Sequence, residues 1–192
     1  MVKSSTATKS ETKRLDPDSW IAAALEMLEA HGIDGVRVEL LARNLGVTKG
    51  SFYWHFKDRD ALHVAMLEHW RRRATLSLIE RLDRDLPPRE RLLTLFRLPF
   101  AGPRSEQAAA VELAVRLWGR RDPRATAALK EVDGLRTEYI AQLLRQCGIP
   151  EAEARPRAIL GYAYMRVGTL LIEGEPPETV AMCEQLLLHS TG

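Results

Sequence analysis

The side chains best suited to reading nucleic acid are concentrated in one short stretch, residues 48–57 (TKGSFYWHFK). Around two apolar positions, Phe52 and Phe56, this stretch carries hydrogen-bond donors, a glycine and aromatic rings with polar tips. Presented on a helix, such a surface fits the major groove of DNA, where donors and acceptors distinguish the base pairs. The same pattern also fits a plain helical hairpin with a polar end, so both interpretations stay open at this point.

A helix-turn-helix is the element that would position these side chains, and residues 38–56 contain what it requires. Ala42 is small enough for two helices to cross closely, and Gly46, four residues later, permits a sharp turn. Val47 is an apolar residue within that turn. The two helices would have an inner apolar stripe made of Leu41, Leu45, Phe52 and Phe56. An alanine and a glycine at this spacing are common in helical proteins, so the spacing alone is weak evidence.

Apolar residues at spacings of three and four along most of the chain predict an all-α fold with about nine helices. We expect the first helix to begin at Asp18 or Ser19 and to close at Gly32. The other predicted helices span residues 38–45, 48–56, 58 to 81 or beyond, 89–98, 105–118, 123–146, 151–173 and 176–189. No segment shows the sustained alternation of β-branched residues that is typical of a β-strand.

Charge is sorted into blocks near the N-terminus, although the net charge of the 192-residue chain is only +2. Residues 1–14 and 37–57 are mainly basic, whereas residues 15–34 carry acidic side chains and no lysine or arginine. A one-sided basic face favours phosphate binding more than a total charge does, but ordinary mixing of surface charge explains the blocks as well. Residues 1–15 are polar and unpatterned, which predicts a flexible basic arm, either inert or reaching into a DNA groove.

The composition, 45% apolar and 28% charged, is typical of globular proteins. Two cysteines outside any Cys-x-x-Cys motif, no signal-peptide pattern and no apolar run of membrane-spanning length predict a cytoplasmic protein with no membrane association. No Gly-x-Ser-x-Gly, His-Glu-x-x-His, Walker or dinucleotide-binding motif occurs, and His63 and His69 share a helix face poorly. We therefore expect no enzyme, no cofactor and no metal. An all-α enzyme that contains a helical hairpin is the less favoured alternative.

The stretch GVTKGSFYWHFKDRDAL resembles the TetR family of regulators. In that family a short helix-turn-helix ends in Tyr-x-His/Tyr-Phe and is followed by a lysine-rich helix start and an Ala/Leu-Leu pair. The resemblance covers about residues 15–70. It implies a DNA-binding domain over residues 16–62, with the helix-turn-helix at about 37–56, and a ligand-binding and dimerisation domain over residues 63–192. It also implies a bacterial, nucleoid-associated location.

The resemblance further implies which residues contact double-stranded operator DNA. These are Arg37, Thr48, Lys49, Gly50, Ser51, Tyr53, His55 and Lys57. Lys49, Gly50 and Ser51 would face the bases and give sequence choice, whereas the others would hold phosphates and give salt-dependent affinity. Thr48 would also cap the recognition helix.

The start of the second helix departs from the family pattern. Arg37 and Val38 stand where the family often has threonines that cap the helix and touch phosphate. Arg37 can replace the phosphate contact, but the cap is lost. Glu39 is a carboxylate close to a polyanion, which would either accept from a cytosine amino group or point away, and it is not counted among the expected contacts. Arg59 is a less certain companion of Lys57.

For the C-terminal part, the resemblance implies a homodimer in which the last two helices of each copy form a four-helix bundle. The two recognition helices would then meet half-sites roughly 34–36 Å apart. Helices four to eight would line a pocket for a small hydrophobic or aromatic effector that releases a repressor from its operator. Candidate lining residues are Trp70, Phe96, Phe100, Trp118, Tyr162 and Met165. The alternatives are that these apolar residues are only core, and that the regulator has no small ligand.

Overall fold

The computed structural model describes residues 15–76, 86–171 and 176–188, and the structural statements below concern these residues. They form nine α-helices and no β-strand, as the sequence predicts. The helices are α1 (Pro17–Gly35), α2 (Val38–Asn44), α3 (Lys49–Phe52), α4 (Arg59–Arg71), α5 (Pro88–Arg97), α6 (Pro103–Gly119), α7 (Pro123–Gln146), α8 (Glu151–Leu171) and α9 (Pro177–Leu188). A π-helical turn, Arg72–Leu76, continues α4, and a 3₁₀ turn, Leu98–Phe100, follows α5.

Some predictions fall wholly or partly outside these residues. The predicted arm is described only at Leu15, and the fourth predicted helix only as far as Leu76. The ends of the last two predicted helices, residues 172–173 and 189, are also outside the described ranges.

The first helix begins earlier than predicted. Asp16, and neither Asp18 nor Ser19, is the N-cap, because its Oδ1 accepts a hydrogen bond from the backbone N–H of Ser19 at 2.7 Å. Pro17 then occupies the first helical position, where its fixed φ and missing N–H cost nothing. Gly32 has φ 67° and kinks the helix, which continues for three more residues to Gly35. The left-handed conformation expected at Gly32 is confirmed, but the helix ends at Gly35 and not at Gly32 as predicted.

Two separate groups of buried apolar side chains make up the core. The first apolar cluster joins α1–α4 to α6 and to the first part of α7, with Trp20, Phe52 and Leu62 fully buried. Trp118 of α6 and Val132 of α7 belong to the same cluster. The helices predicted to bind DNA therefore share their core with helices of the C-terminal part.

The second apolar cluster joins α5, the later part of α7, α8 and α9. Phe96, Ile140 and Ala158 are buried in it. A Cβ atom on Gly161 of α8 would lie 2.9 Å from the ring of Phe96, so glycine is needed there for α5 to approach α8. Ala158 and Gly161 of α8 therefore serve packing inside the protomer.

Candidate nucleic-acid interface

The turn between α2 and α3 has the geometry that the sequence predicts. Gly46 has φ 68°, a left-handed conformation that favours glycine, and its N–H donates to the carbonyl of Arg43 at 3.2 Å. The N–H of Val47 donates to the carbonyl of Ala42 at 2.9 Å. The side chain of Ala42 is buried at the junction. These contacts fix the direction in which α3 leaves α2.

Aromatic packing holds α3 against α1. The fully buried Phe52 ring meets the Trp20 ring edge-on, with 5.4 Å between centroids. The ring centroids of Phe56 and Tyr53 each lie 5.3 Å from that of Phe52. Edge-to-face pairs of this kind add about 0.5–1.5 kcal/mol to the burial of the rings. With Phe52 pinned inside, the opposite side of residues 48–57 is turned to solvent.

Most of the predicted DNA contacts lie on this solvent side. Exposed residues are Arg37, Thr48, Lys49, Gly50, Tyr53, His55 and Lys57, and Ser51 is half-buried. Trp54, to which sequence reasoning gave no role, is 85% exposed and is the most prominent side chain of the segment. The contacts of all these residues with DNA stay a prediction.

Lys49 is paired in the free protein. Its Nζ forms an ion pair with Oε1 of Glu39, which stands at the start of α2. The hydrogen bond from Lys49 lowers the pKa of Glu39, and the same bond raises the pKa of Lys49. The two residues are ten positions apart and meet only because the turn brings two helix starts together, so no short-range sequence pattern indicates the pair.

The predicted cap at Thr48 is wrong. Thr48 occupies the N-cap position of α3 in extended backbone geometry, but its side chain makes no capping hydrogen bond. The helix is also shorter than predicted, since it ends at Phe52 and not at Phe56. Residues 53–55 form a turn, and one further helical bond runs from the N–H of Phe56 to the carbonyl of Phe52. The Thr48 hydroxyl is therefore not used to hold α3.

Gly50 is not required by the fold. A Cβ atom there would have only the Oγ1 of Thr48 within 4 Å, at 3.7 Å. The missing side chain leaves the backbone of α3 accessible, which is the property that close approach to a nucleic-acid backbone requires.

Two arginines next to this surface bind backbone carbonyls of the protein. Arg37 makes no cap for α2, as expected, and its Nε donates to the carbonyl of Asp34 at 3.1 Å. Arg59 donates from Nη2 to the carbonyl of Ile33 at 2.8 Å and from Nε to His63 at 3.2 Å. Arg59 thus fastens the start of α4 to the end of α1, which gives it a structural role within the protomer.

The predicted effector residues are divided between the two apolar clusters. Trp70 and Trp118 are buried in the first cluster, whereas Phe96 and Met165 are buried in the second. The remaining two are half-buried: the ring of Phe100 packs on Tyr164, and the hydroxyl of Tyr162 takes part in a charged cluster. The six side chains therefore do not face one common space, and their contact with a ligand stays a prediction.

Residues 21–66 match the family model of the bacterial regulatory proteins of the tetR family. This segment contains the turn, the buried Phe52 and the exposed face described above. By this match, the N-terminal segment is similar to the TetR family.

Among curated TetR-family relatives, the class A tetracycline repressor from transposon 1721 of Escherichia coli is 42% identical over 55 residues. That match covers 29% of this chain and 26% of the repressor, so the chain spans about a quarter of the relative's length.

Solved structures extend the likeness of the fold to nearly the whole chain. A transcriptional regulator from Rhodococcus sp. Rha1 superposes with a TM-score of 0.72 at 21% identity, covering 91% of this chain and 94% of that one. The transcriptional regulator FadR from Bacillus subtilis, in complex with stearoyl-CoA, superposes with a TM-score of 0.64 at 16% identity, covering 92% and 100%. At these identities the likeness concerns the fold alone.

No helix in residues 15–76, 86–171 or 176–188 is long and apolar enough to cross a membrane. Among the same residues, no group of three or more histidine, cysteine, aspartate or glutamate side chains is placed to hold a metal ion.

Proposed function

We propose that the chain is a DNA-binding transcriptional regulator that acts as a dimeric repressor and leaves its operator when a small ligand binds. The observation that carries the proposal is the exposed face of residues 48–57, held outward by the buried Phe52 within a segment that matches the TetR family. Tyr53, His55 and Lys57 would hold phosphates, while Lys49, Gly50 and Ser51 would approach the bases.

Lys49 would exchange partners on binding. In the free protein its ammonium group pairs with Glu39, and both side chains are at least half exposed. An exposed pair of this kind contributes little stability, so a base or phosphate can compete for the lysine at small cost. Glu39 would then restrict Lys49 to a few orientations and influence which base it contacts.

Dimerisation would use the outer sides of α8 and α9. On α8 the exposed residues Ile159, Ala163 and Val167 recur at a spacing of four, with Leu160 beside them. On α9 Met182 and Leu186 are exposed at the same spacing. Apolar stripes on two neighbouring helices are suited to a two-fold interface, in which the same patch meets itself.

A gel shift with the intergenic DNA beside the chain's own gene tests the proposal. We expect a shift that survives excess nonspecific DNA and weakens steeply with salt, because phosphate contacts release counterions. The absence of a shift that survives competitor DNA would instead favour the alternative that the chain is an all-α enzyme.

Variants of the exposed face test the residue roles. Tyr53→Ala is expected to weaken binding to all sequences, whereas Lys49→Ala is expected to weaken binding and also to change base preference. Lys130→Ala, which removes an exposed lysine on α7, is the matched control and should bind as the wild type does. If Tyr53→Ala and Lys49→Ala both bind the operator like Lys130→Ala, the assigned roles are wrong.

The dimer is tested by light scattering coupled to size exclusion. Leu186→Asp should yield monomers, because a carboxylate would be buried without a partner in the interface. Leu113→Asp on α6 replaces a comparably exposed leucine and should remain dimeric. If both variants remain dimeric, the interface does not include Leu186 of α9.

A thermal-shift screen with hydrophobic compounds tests the effector. Small-molecule binding is supported by the solved FadR complex with stearoyl-CoA, which has the same fold. A stabilised protein that also loses its gel shift would fit the proposal. A screen in which no compound stabilises the protein would favour a regulator that has no small ligand.

A further inference from the structure

A hydrogen-bonded group of charged side chains lies between the two apolar clusters. We call it the arginine cluster, and its members are Glu112, Arg116, Asp133, Arg136, Tyr162 and Arg166. On α7, Asp133 and Arg136 stand between Val132 of the first apolar cluster and Ile140 of the second. The arginine cluster therefore occupies the place where the two cores would otherwise merge.

Glu112 is the centre of the cluster. Its carboxylate, 5% exposed, accepts hydrogen bonds from Arg116 at 2.9 Å, Arg136 at 2.7 Å and Arg166 at 2.6 Å. Burial alone would raise the pKa of Glu112, but the charges of Arg136 and Arg166 and these hydrogen bonds lower it to about 2. The carboxylate is consequently charged at any physiological pH.

The members carry one more positive charge than negative. Three guanidinium groups face two carboxylates, since Asp133 is the only other acid in the cluster and accepts from Arg116 at 2.6 and 3.0 Å. The hydroxyl of Tyr162 donates to Asp133 at 2.7 Å, and burial raises the pKa of this phenol, so it adds no charge. A partly buried surplus charge is costly unless an opposite charge meets it.

Arg166 has donor capacity that no described residue uses. Its Nη1 binds Glu112, but its Nε is buried and has no hydrogen-bond partner among the described residues. A guanidinium group offers five N–H donors and binds a carboxylate through two parallel hydrogen bonds. The exposed fraction rises from 13% for Arg136 to 25% for Arg166 and 35% for Arg116, so the cluster is open to solvent on the side of these last two residues.

We propose that the arginine cluster binds the carboxylate of a small organic acid, with Arg166 as its principal donor. The ring of Tyr162 lies 5.4 Å from Cζ of Arg166, and the neighbouring Met165 belongs to the second apolar cluster, which suits an acid with an apolar body. This inference names the chemical class of the effector and rests on the proposed ligand response.

Arg136 also connects the arginine cluster to the end of α4. Arg136 donates from Nε and Nη2 to the carbonyl of Ala74 at 3.0 and 2.9 Å. Ala74 belongs to the π-helical turn that continues α4. A bound carboxylate that competes for Arg136 would therefore act on the end of α4.

Isothermal titration of the full chain, without DNA, tests the site. The probes are octanoate and phenylacetate, each compared with its neutral amide, octanamide or phenylacetamide. We expect at least one acid to bind with a Kd of about 1 mM or tighter and about tenfold better than its amide, a difference of about 1.4 kcal/mol. Arg166→Gln should lose that advantage, while Arg155→Gln, an exposed arginine on the same helix, should retain it.

The wild-type comparison of acid with amide does not depend on whether Arg166→Gln folds. Equal binding of acid and amide, no binding of either acid, or unchanged binding in a folded Arg166→Gln protein would overturn the site. Gel shifts separate this result from the proposed function. An operator shift without binding of the acids would refute the site alone, whereas binding of an acid without any DNA shift would refute the repressor alone.

Discussion

The two apolar clusters differ in what they join. The first unites the helices of the nucleic-acid interface, α1–α3, with α4, α6 and the start of α7. The second contains none of α1–α4 and is built from α5, the later part of α7, α8 and α9. In the part of the chain that the structure describes, only α7 contributes buried apolar residues to both clusters, and the arginine cluster lies between them.

This difference indicates how the exposed face of residues 48–57, the candidate recognition surface, is supported. Phe52, which sets the direction of the exposed face, shares a cluster with Trp118 and Val132, so a movement of α6 or α7 has a packed route to α3. The side of α9 that we propose for dimerisation has no such direct route and must act through α7 or the charged residues. The predicted division after residue 62 falls within the first cluster, between Leu62 and Met66, and stays a prediction.

The largest loss of stability is expected from a change in the arginine cluster, which lies between the two apolar clusters. Glu112→Gln leaves Arg116, Arg136 and Arg166 without their shared carboxylate, so we expect the free energy of unfolding to fall by about 3–5 kcal/mol. Urea denaturation followed by circular dichroism measures it.

Glu131→Gln is the matched control for Glu112→Gln, because it removes an exposed carboxylate that pairs with Arg71 at 2.7 Å. We expect it to cost less than about 1 kcal/mol. If the two variants lose similar amounts of stability, the arginine cluster contributes no more to the free energy of unfolding than an exposed ion pair does.

Replacing one buried leucine in each apolar cluster should distinguish an effect on stability from an effect on DNA binding. Leu62→Ala and Leu144→Ala each remove a fully buried side chain and should each cost about 2–5 kcal/mol. At a temperature where both variants are folded, Leu62→Ala should weaken operator binding, since its cluster supports α3, whereas Leu144→Ala should not. Denaturation and gel shifts on the same samples measure the two effects, and equal effects on DNA binding would remove the distinction between the clusters.

The sequence predicted the local part of this picture well. The all-α fold, the α7 bounds, the Gly32 break and the Gly46 turn depend on short-range patterns that glycine, proline and apolar spacing reveal. The side chains of residues 48–57 could be placed on an exposed face because Phe52 and Phe56 mark the opposite, buried one.

What the sequence could not supply are contacts between residues far apart in the chain. Glu112 and Arg166 are separated by 54 positions and meet only after α6 and α8 have packed on α7. The six predicted effector residues were chosen for being apolar, and that property does not tell which cluster each one joins. Asp16 was missed as a cap because Pro17 begins the helix a full turn before the apolar pattern starts at Ile21.

Acid should weaken the first cluster through His63. This side chain is buried beside Trp118, with 5.2 Å between ring centroids, and burial, followed by the charges of Arg59 and Arg124, lowers its pKa to about 4. The unfolded chain takes up the proton near pH 6.5, so stability is full above that pH and is lost as the pH falls toward 4.

Between these two pKa values, each unit by which the pH falls lowers the free energy of unfolding by about 1.4 kcal/mol. At pH 5, His63 therefore lowers the free energy of unfolding by about 2 kcal/mol. Urea denaturation of the wild type and of His63→Gln at pH 7 and pH 5 isolates it, since other titrating groups are common to both proteins. His31→Gln, at an exposed position, should keep the wild-type pH dependence. If His63→Gln keeps it too, the loss arises elsewhere and the buried imidazole does not limit the first cluster.

The smallest effect is expected at the surface link between α1 and α6. Arg121 donates to Asp34 at 2.9 Å, and both side chains are about two-thirds exposed, so Asp34→Asn should cost at most about 1 kcal/mol. A double-mutant cycle with Arg121→Gln, measured by urea denaturation at low salt and at about 0.5 M NaCl, should show a coupling that largely disappears in salt. A coupling above about 2 kcal/mol that persists in salt would mean that α1 is attached to α6 mainly by this pair. The first cluster would then no longer account for how the recognition surface is held, and the comparison between the two clusters would lose its basis.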